Sequence, residues 1–156
     1  MRVRICAVGR MRAGPEKTLV DDYLTRFSRT GRALGLGPAE LSEVEDKKGG
    51  GSPAEALLLR KALPPGAAVC CLDERGKVLG SPVFADRLAE YRDQGRSEIA
   101  FVIGGADGIA PDLAAEADFK LSFGQMVWPH MLARVMLAEQ LYRAATILAG
   151  SPYHRA

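Results

Sequence analysis

The chain of 156 residues carries two imidazoles, His130 and His154, and each sits in company that can do chemistry. His130 closes the run Phe123-Gly124-Gln125-Met126-Val127-Trp128-Pro129-His130, a glycine-bearing loop that feeds a long apolar segment. A neutral imidazole there can accept a proton or hydrogen-bond a ligand. His154 lies in the tail Ser151-Pro152-Tyr153-His154-Arg155-Ala156. A ring, an imidazole and a guanidinium side by side can stack on a base and hold a phosphate. Glu139 and Arg143 are four apart, in the favourable order for a helical ion pair. On a segment otherwise apolar such a pair needs something polar to face, either solvent, a partner chain or an anionic substrate. No G-x-S-x-G accompanies the histidines, and Cys6, Cys70 and Cys71 fall in apolar runs, so no activated nucleophile stands out. The absence of G-K-[ST] rules out a P-loop, and Gly104-Gly105-Ala106-Asp107-Gly108 is not a dinucleotide fingerprint. By itself it reads as a tight turn or as a place where a ligand approaches backbone.

The elements that must hold these residues alternate in type. Val3–Val8 reads as a strand, Glu16–Ser28 as a helix with Leu19, Tyr23, Leu24 and Phe27 on one face, and Ala39–Val44 as a weak second strand. Ser52, Pro53 and Glu55 have capping-box spacing and predict a helix to about Ala62, stopped by Pro64-Pro65-Gly66. Ala67–Leu72 and Glu98–Ile103 are continuous apolar runs of buried strands, with Leu72-Asp73-Glu74-Arg75-Gly76-Lys77 as the loop after the first. A helix from Ser81-Pro82 to near Gln94, a short helix after Pro111 and a strand around Phe119–Ser122 complete the series. This predicts one α/β domain over residues 1–156, with a mainly parallel sheet covered by helices on both faces. Ligands in such sheets bind beyond the strands' carboxyl ends, which here are the loops after Leu72, Ile103 and Ser122.

The last helix, from about Pro129 to Ala149, is apolar all round: Leu132, Val135 and Met136 occupy one half, Leu137, Leu141 and Leu148 the other. It is too interrupted by Arg134, Glu139 and Arg143 to span a membrane. It therefore needs cover on both faces, from its own sheet and from a second copy or another chain.

Hydrophobic and charged contents of 47% and 26% are those of a globular protein, with no membrane span and no signal peptide expected. Three thiols in apolar runs imply buried reduced cysteines in a cytoplasmic protein, with no disulfide and no metal site. The net charge of +2 hides an asymmetry. Residues 1–32 hold eight basic and three acidic groups, residues 33–119 nine and fifteen, and residues 120–156 four and one. Basic ends that met in space would form a positive surface suited to a polyanion; scattered charges that only aid solubility are the alternative.

LDERGK at 72–77, FVIGGADG at 101–108, LSFGQMVWPH at 121–130, RVMLAEQLYRA at 134–144 and PYHR at 152–155 resemble, in order and spacing, the family of ribosomal RNA large subunit methyltransferase H within the SPOUT superfamily. The resemblance spans nearly the whole chain and is thinnest between Ala13 and Leu63, where Gly9, Tyr23 and Arg26 fit. It implies a SPOUT fold with a C-terminal trefoil knot, knot and cofactor site falling in about residues 67–156. It also implies a homodimer that uses S-adenosyl-L-methionine to methylate N3 of a pseudouridine in helix 69 of 23S rRNA, on the assembled ribosome. Carried onto this chain, the cofactor would meet Leu72, Gly104, Phe123, Gly124, Gln125, Met126, Val127 and Trp128, and Tyr153, His154 and Arg155 would approach the RNA or the partner's active site. Val127 stands where the family often has Thr, so backbone rather than side chain would serve there. An imide nitrogen attacks only once its proton leaves; His130 or His154 would accept it, and Arg143 or Arg155 would stabilise the resulting anion or hold a phosphate. Two other readings stay open: a methyltransferase of another RNA such as tRNA, and a non-catalytic RNA- or ribosome-binding dimer.

Overall fold

The computed structural model describes residues 1–155. Among them the elements run β1 (Arg2–Val8), α1 (Pro15–Gly31), β2 (Ala39–Val44), α2 (Gly51–Ala62), β3 (Ala68–Val78), α3 (Ser81–Asp93), β4 (Glu98–Ile103), α4 (Pro111–Ala115), β5 (Phe119–Ser122) and α5 (His130–Ala149). The strands form one sheet in the order β2-β1-β4-β3-β5, and every neighbouring pair is parallel.

Strand alternation divides the core in two. Val3, Ile5 and Ala7 of β1 with Ile99, Phe101 and Ile103 of β4 face α1, α3 and α5, where Phe27, Phe84, Leu88, Leu137 and Leu141 meet them. Cys6, Val8, Ala100 and Val102 face the other way, toward Ala56 and Leu59 of α2 and Leu113 of α4. This is the two-faced α/β arrangement expected of continuous apolar strands. Phe101 is fully buried in the larger half, its ring tilted at 57° against Phe84 with centroids 5.9 Å apart. Phe101→Ala should lower unfolding stability by about 3–5 kcal/mol, read from the urea midpoint at fixed protein concentration; a loss below about 1 kcal/mol would contradict this packing.

Two local expectations are corrected. Ser52 and Glu55 do not form a capping box, because α2 starts at Gly51 with Gly50 as its cap residue and no side-chain cap. Asp46 instead closes the turn that leads into the helix, accepting from the backbone N–H groups of Lys48 at 3.1 Å and Gly50 at 2.6 Å. The strand through Ala68 also does not end at Leu72. Residues 73–76 leave the ladder, and Lys77 and Val78 rejoin it against Leu121 and Ser122 of β5. The excursion is pinned across β5: Ser122 Oγ donates to the Glu74 carbonyl at 3.0 Å, and a Cβ on Gly76 would lie 2.7 Å from the Lys120 backbone.

The long last helix splits as its wheel implied. Leu137, Ala138, Leu141, Ala144 and Ala145 are buried against the sheet, whereas Leu132 is 41% exposed and Val135 and Met136 line an open cavity. One apolar half is thus satisfied by the fold and the other is not.

Candidate active site

Strand order places the loops that carry the candidate residues. β5, β3, β4 and β1 lie side by side, so the loops after Leu72 and Ile103 sit between the end of β5 and the end of β1. The chain leaves β5 at Ser122 and reaches His130, whose Cε1 lies 3.6 Å from the place a Cβ of Gly9 would occupy, just past the end of β1. Phe123–Trp128 must therefore cross about three strand spacings, roughly 14 Å, in front of the ends of β3 and β4. A six-residue loop has reach enough for this. The crossing brings Leu72, Gly104 and Phe123–Trp128 to one edge of the sheet, although no short sequence distance connects them.

The edge is tight where glycine stands and open where apolar side chains stand. A Cβ on Gly104 would meet the Gly108 carbonyl carbon at 2.6 Å, backbone against backbone. Gly108 N–H donates to Gly105 O at 3.0 Å, so the glycine run is a closed turn. Glu55 leans against this turn with one carboxylate oxygen buried and unpartnered, and burial followed by the charges of Asp107 and Asp46 raises its pKa. Over the edge, Met126 is 75% exposed, Val127 81% and Trp128 42%. Three successive large apolar side chains left in water mark a surface that something covers.

His130 stands at the β1 end of this edge. Its Nδ1 is buried without a protein partner. Burial, and then the nearby Arg134 guanidinium, hold its pKa below the ordinary 6.5, so the ring is neutral at neutral pH.

The remaining candidates gather elsewhere on α5. Arg143 pairs with Glu139 at 2.6 Å, Tyr153 O–H donates to Glu139 at 3.0 Å, and Arg143 bonds His154 Nδ1 at 3.1 Å. A guanidinium only donates, so Nδ1 is the acceptor here and the proton of the neutral ring sits on Nε2. Arg143 also covers the Tyr153 ring at 4.9 Å, and Tyr153 packs on Tyr142 at 4.7 Å. Burial and then the bond to Glu139 push the Tyr153 hydroxyl pKa up. The tail is therefore docked rather than frayed, with Arg155 exposed beyond it. The thirteen-residue interval from His130 to Arg143 along one helix is roughly 20 Å. Within one chain, His130 and the tail cluster cannot act on the same atom.

A cavity of about 480 Å³ opens beside the tail cluster, lined by Tyr23, Phe84, Phe123, Gly124, Met136 and Glu139 among others. Of the expected cofactor residues it takes in Phe123 and Gly124, while Leu72, Gly104 and Gln125–Trp128 lie outside it. It follows the uncovered half of α5 more than the strand edge.

Sequence reasoning passed over Arg134 and Glu43. Arg134 is 0% exposed, with Nη1 on Glu43 at 2.8 Å and Nη2 on the carbonyls of Val8 and Gly9 at 2.6 and 2.8 Å. The one signal available was an arginine four residues after His130 in an apolar helix.

A family model described as "Predicted SPOUT methyltransferase" matches residues 1–154. The chain is 76% identical over 155 residues to "Ribosomal RNA large subunit methyltransferase H" of Ruegeria pomeroyi, covering 99% of both chains. It is 74% identical over 155 residues to the protein of that name from Ruegeria sp. strain TM1040, with 99% of each covered. Among solved structures, a probable methylase family protein from Haemophilus influenzae Rd KW20 aligns over 99% of this chain and 70% of its own, with a TM-score of 0.54 at 14% identity. That last likeness speaks for the fold alone.

Proposed function

The chain belongs to the SPOUT methyltransferase family and groups there with the ribosomal RNA large subunit methyltransferase H proteins, and from that premise we propose that it methylates N3 of a pseudouridine in helix 69 of 23S rRNA on the assembled ribosome, in the cytoplasm, with S-adenosylmethionine as donor. The observation that carries this reading is the end-to-end identity of 74–76% to relatives of that name. The strand edge suits such a donor: a turn too tight for a side chain at Gly104, and an apolar cover at Met126–Trp128. Leu72, Gly104 and the backbone of Phe123–Trp128 would hold it, with Val127 contributing through its peptide groups.

When bound, S-adenosylmethionine supplies a methyl group already activated on a sulfonium sulfur. The chain's work is alignment and proton removal. His130 is the better-placed acceptor for the imide proton, because it is neutral and stands beside the cofactor loop. His154 has its acceptor nitrogen engaged by Arg143 in this arrangement, which fits a role in holding the substrate with Tyr153 and Arg155. Arg143 and Arg155 would stabilise negative charge on the base or bind phosphate. Since about 20 Å of helix separates His130 from this cluster, a complete site needs a second copy to bring its tail to the first copy's edge. The uncovered half of α5 and its cavity are where that copy would pack, giving a homodimer.

Transfer of a labelled methyl group from S-adenosylmethionine to intact ribosomes, free rRNA and tRNA tests the reading. We expect label in intact ribosomes, at helix 69, and little in the other two. Transfer to tRNA instead, or cofactor binding with no transfer to any RNA, would overturn it.

A further inference from the structure

Arg134 is the charged side chain that the described fold buries completely, and burying a guanidinium is costly unless every donor is used well. Its bonds go to residues far away in sequence: Glu43 of β2, and Val8 and Gly9 at the end of β1. The Glu43 oxygen that accepts from Arg134 also accepts from the Met11 backbone N–H, at 2.6 Å. One carboxylate thus ties the second turn of α5 to the chain leaving β1. Buried ion pairs seldom add stability over apolar packing of the same volume; what they add is a fixed geometry.

The geometry fixed here includes His130. It lies one turn before Arg134 on the same face of α5, and both side chains stand over Gly9, whose φ of +92° leaves no room for a strain-free side chain. A Cβ there would sit 3.6 Å from His130 Cε1 and 3.8 Å from Arg134 Nη2. His130 Nδ1 and Arg134 Nε are both buried and without protein partners. With Nδ1 turned inward, Nε2 is the nitrogen on the solvent side.

We infer that Arg134, clamped by Glu43, is a positioning residue for methyl transfer: it fixes the His130 imidazole over Gly9 so that Nε2 faces the edge where the target base enters. This rests on the function proposed above and extends it to residues that do not touch the substrate. The charged surroundings of the ring are few. On α5 the guanidinium of Arg134 acts on it; from β2 Glu43 lies behind that guanidinium; and beyond Gly9 the side chain of Arg10 turns to Glu45 at 3.8 Å. Arg134 therefore also opposes a second proton on the ring, and its removal should let His130 protonate at higher pH.

The test uses the full-length protein with Arg134→Lys, Arg134→Met, Glu43→Gln and the double change His130→Gln with Arg134→Lys. Single-turnover transfer at saturating ribosomes should fall about 10- to 100-fold in Arg134→Lys, as expected when an acid–base group is misaligned. S-adenosylmethionine affinity should stay within about threefold, and KM for ribosomes should move less than kcat. The double variant should be no slower than His130→Gln alone. Imidazole titration by NMR, with His154→Gln to assign the two rings, should place wild-type His130 below 6.5 and move it upward in Arg134→Met. The acid limb of the rate profile should follow, since the neutral ring is the active form and is lost as pH falls through its pKa.

Native rate in Arg134→Lys, or multiplicative losses in the double variant, would overturn the inference. If Arg134→Met does not fold, Glu43→Gln and Arg134→Lys carry the same comparison. If the wild-type protein transfers no methyl group to ribosomes, the proposed function fails by itself; the NMR titration then decides whether Arg134 governs His130, and an unmoved ring overturns the inference.

Discussion

Gly104→Val should abolish cofactor binding while leaving the fold in place. The added Cβ would lie 2.6 Å from the Gly108 carbonyl carbon and 2.7 Å from its oxygen, and neither is the end of a flexible side chain. The Gly105–Gly108 turn must therefore move, and it can, because Ala106, Asp107 and Gly108 are exposed. What moves is the floor of the edge that Phe123–Trp128 crosses. Calorimetry should show S-adenosylmethionine affinity weakened at least about 100-fold, worth about 2.8 kcal/mol. Methyl transfer to ribosomes should drop to background, with circular dichroism unchanged. Native affinity in a folded Gly104→Val protein would place the cofactor elsewhere, with the 480 Å³ cavity along α5 the next candidate.

The second large effect concerns the tail. A chain ending at Ser151 loses Tyr153, His154 and Arg155 together. Within its own subunit it gives up the Tyr153–Glu139 and Arg143–His154 bonds, each to a charged group and worth about 1–3 kcal/mol. Neither bond touches Leu72, Gly104 or the 123–128 loop, so cofactor affinity should stay native. Methyl transfer depends on holding the base in line with the donor, and alignment can supply several orders of magnitude. The single-turnover rate on ribosomes should fall by at least about 100-fold. Mixing the truncated chain with full-length His130→Gln should restore part of that rate, because each copy then supplies what the other lacks. Failure of the mixture, with both chains folded and dimeric, would confine the site to one subunit. A truncated chain that works at the native rate would remove the tail from the site.

Most of the fold was legible because its signals are local. The strand Glu98–Ile103 is where its apolar run puts it, and the short strand Phe119–Ser122 lies at its expected bounds. The two-sided burial of the sheet follows from those same unbroken runs. What escaped depends on contacts between residues distant in the chain. The polar run Asp73–Gly76 reads as the end of a strand, and only its neighbour β5 shows that the strand resumes at Lys77. The Ser52/Glu55 pattern is a sound local cap, but the helix starts one residue earlier at Gly51, behind a turn that Asp46 closes through the Lys48 and Gly50 N–H groups. Arg134 read as a charge interrupting an apolar helix, since its partners Glu43, Val8 and Gly9 are 91, 126 and 125 residues away.

The candidate site divides along the same line. Glu139 and Arg143 pair as their spacing predicts, and the helix rise alone is enough to separate them from His130 by about 20 Å. That Leu72, Gly104 and Trp128 share an edge could not be read from composition or period. It follows from the strand order β5-β3-β4-β1 and from the landing of His130 beside Gly9. The docking of Tyr153 and His154 on α5 was likewise beyond reach, since a short C-terminal segment carries no periodicity to read.

Methylation of one imide nitrogen in ribosomal RNA adds a fixed mass to one nucleoside, and mass spectrometry of helix 69 from a strain lacking this gene reads it. Loss of the methyl group from the pseudouridine, with its return when the gene is restored and not when Gly104→Val is supplied, is the predicted result. N3-methylpseudouridine retained in the deletion strain would contradict it.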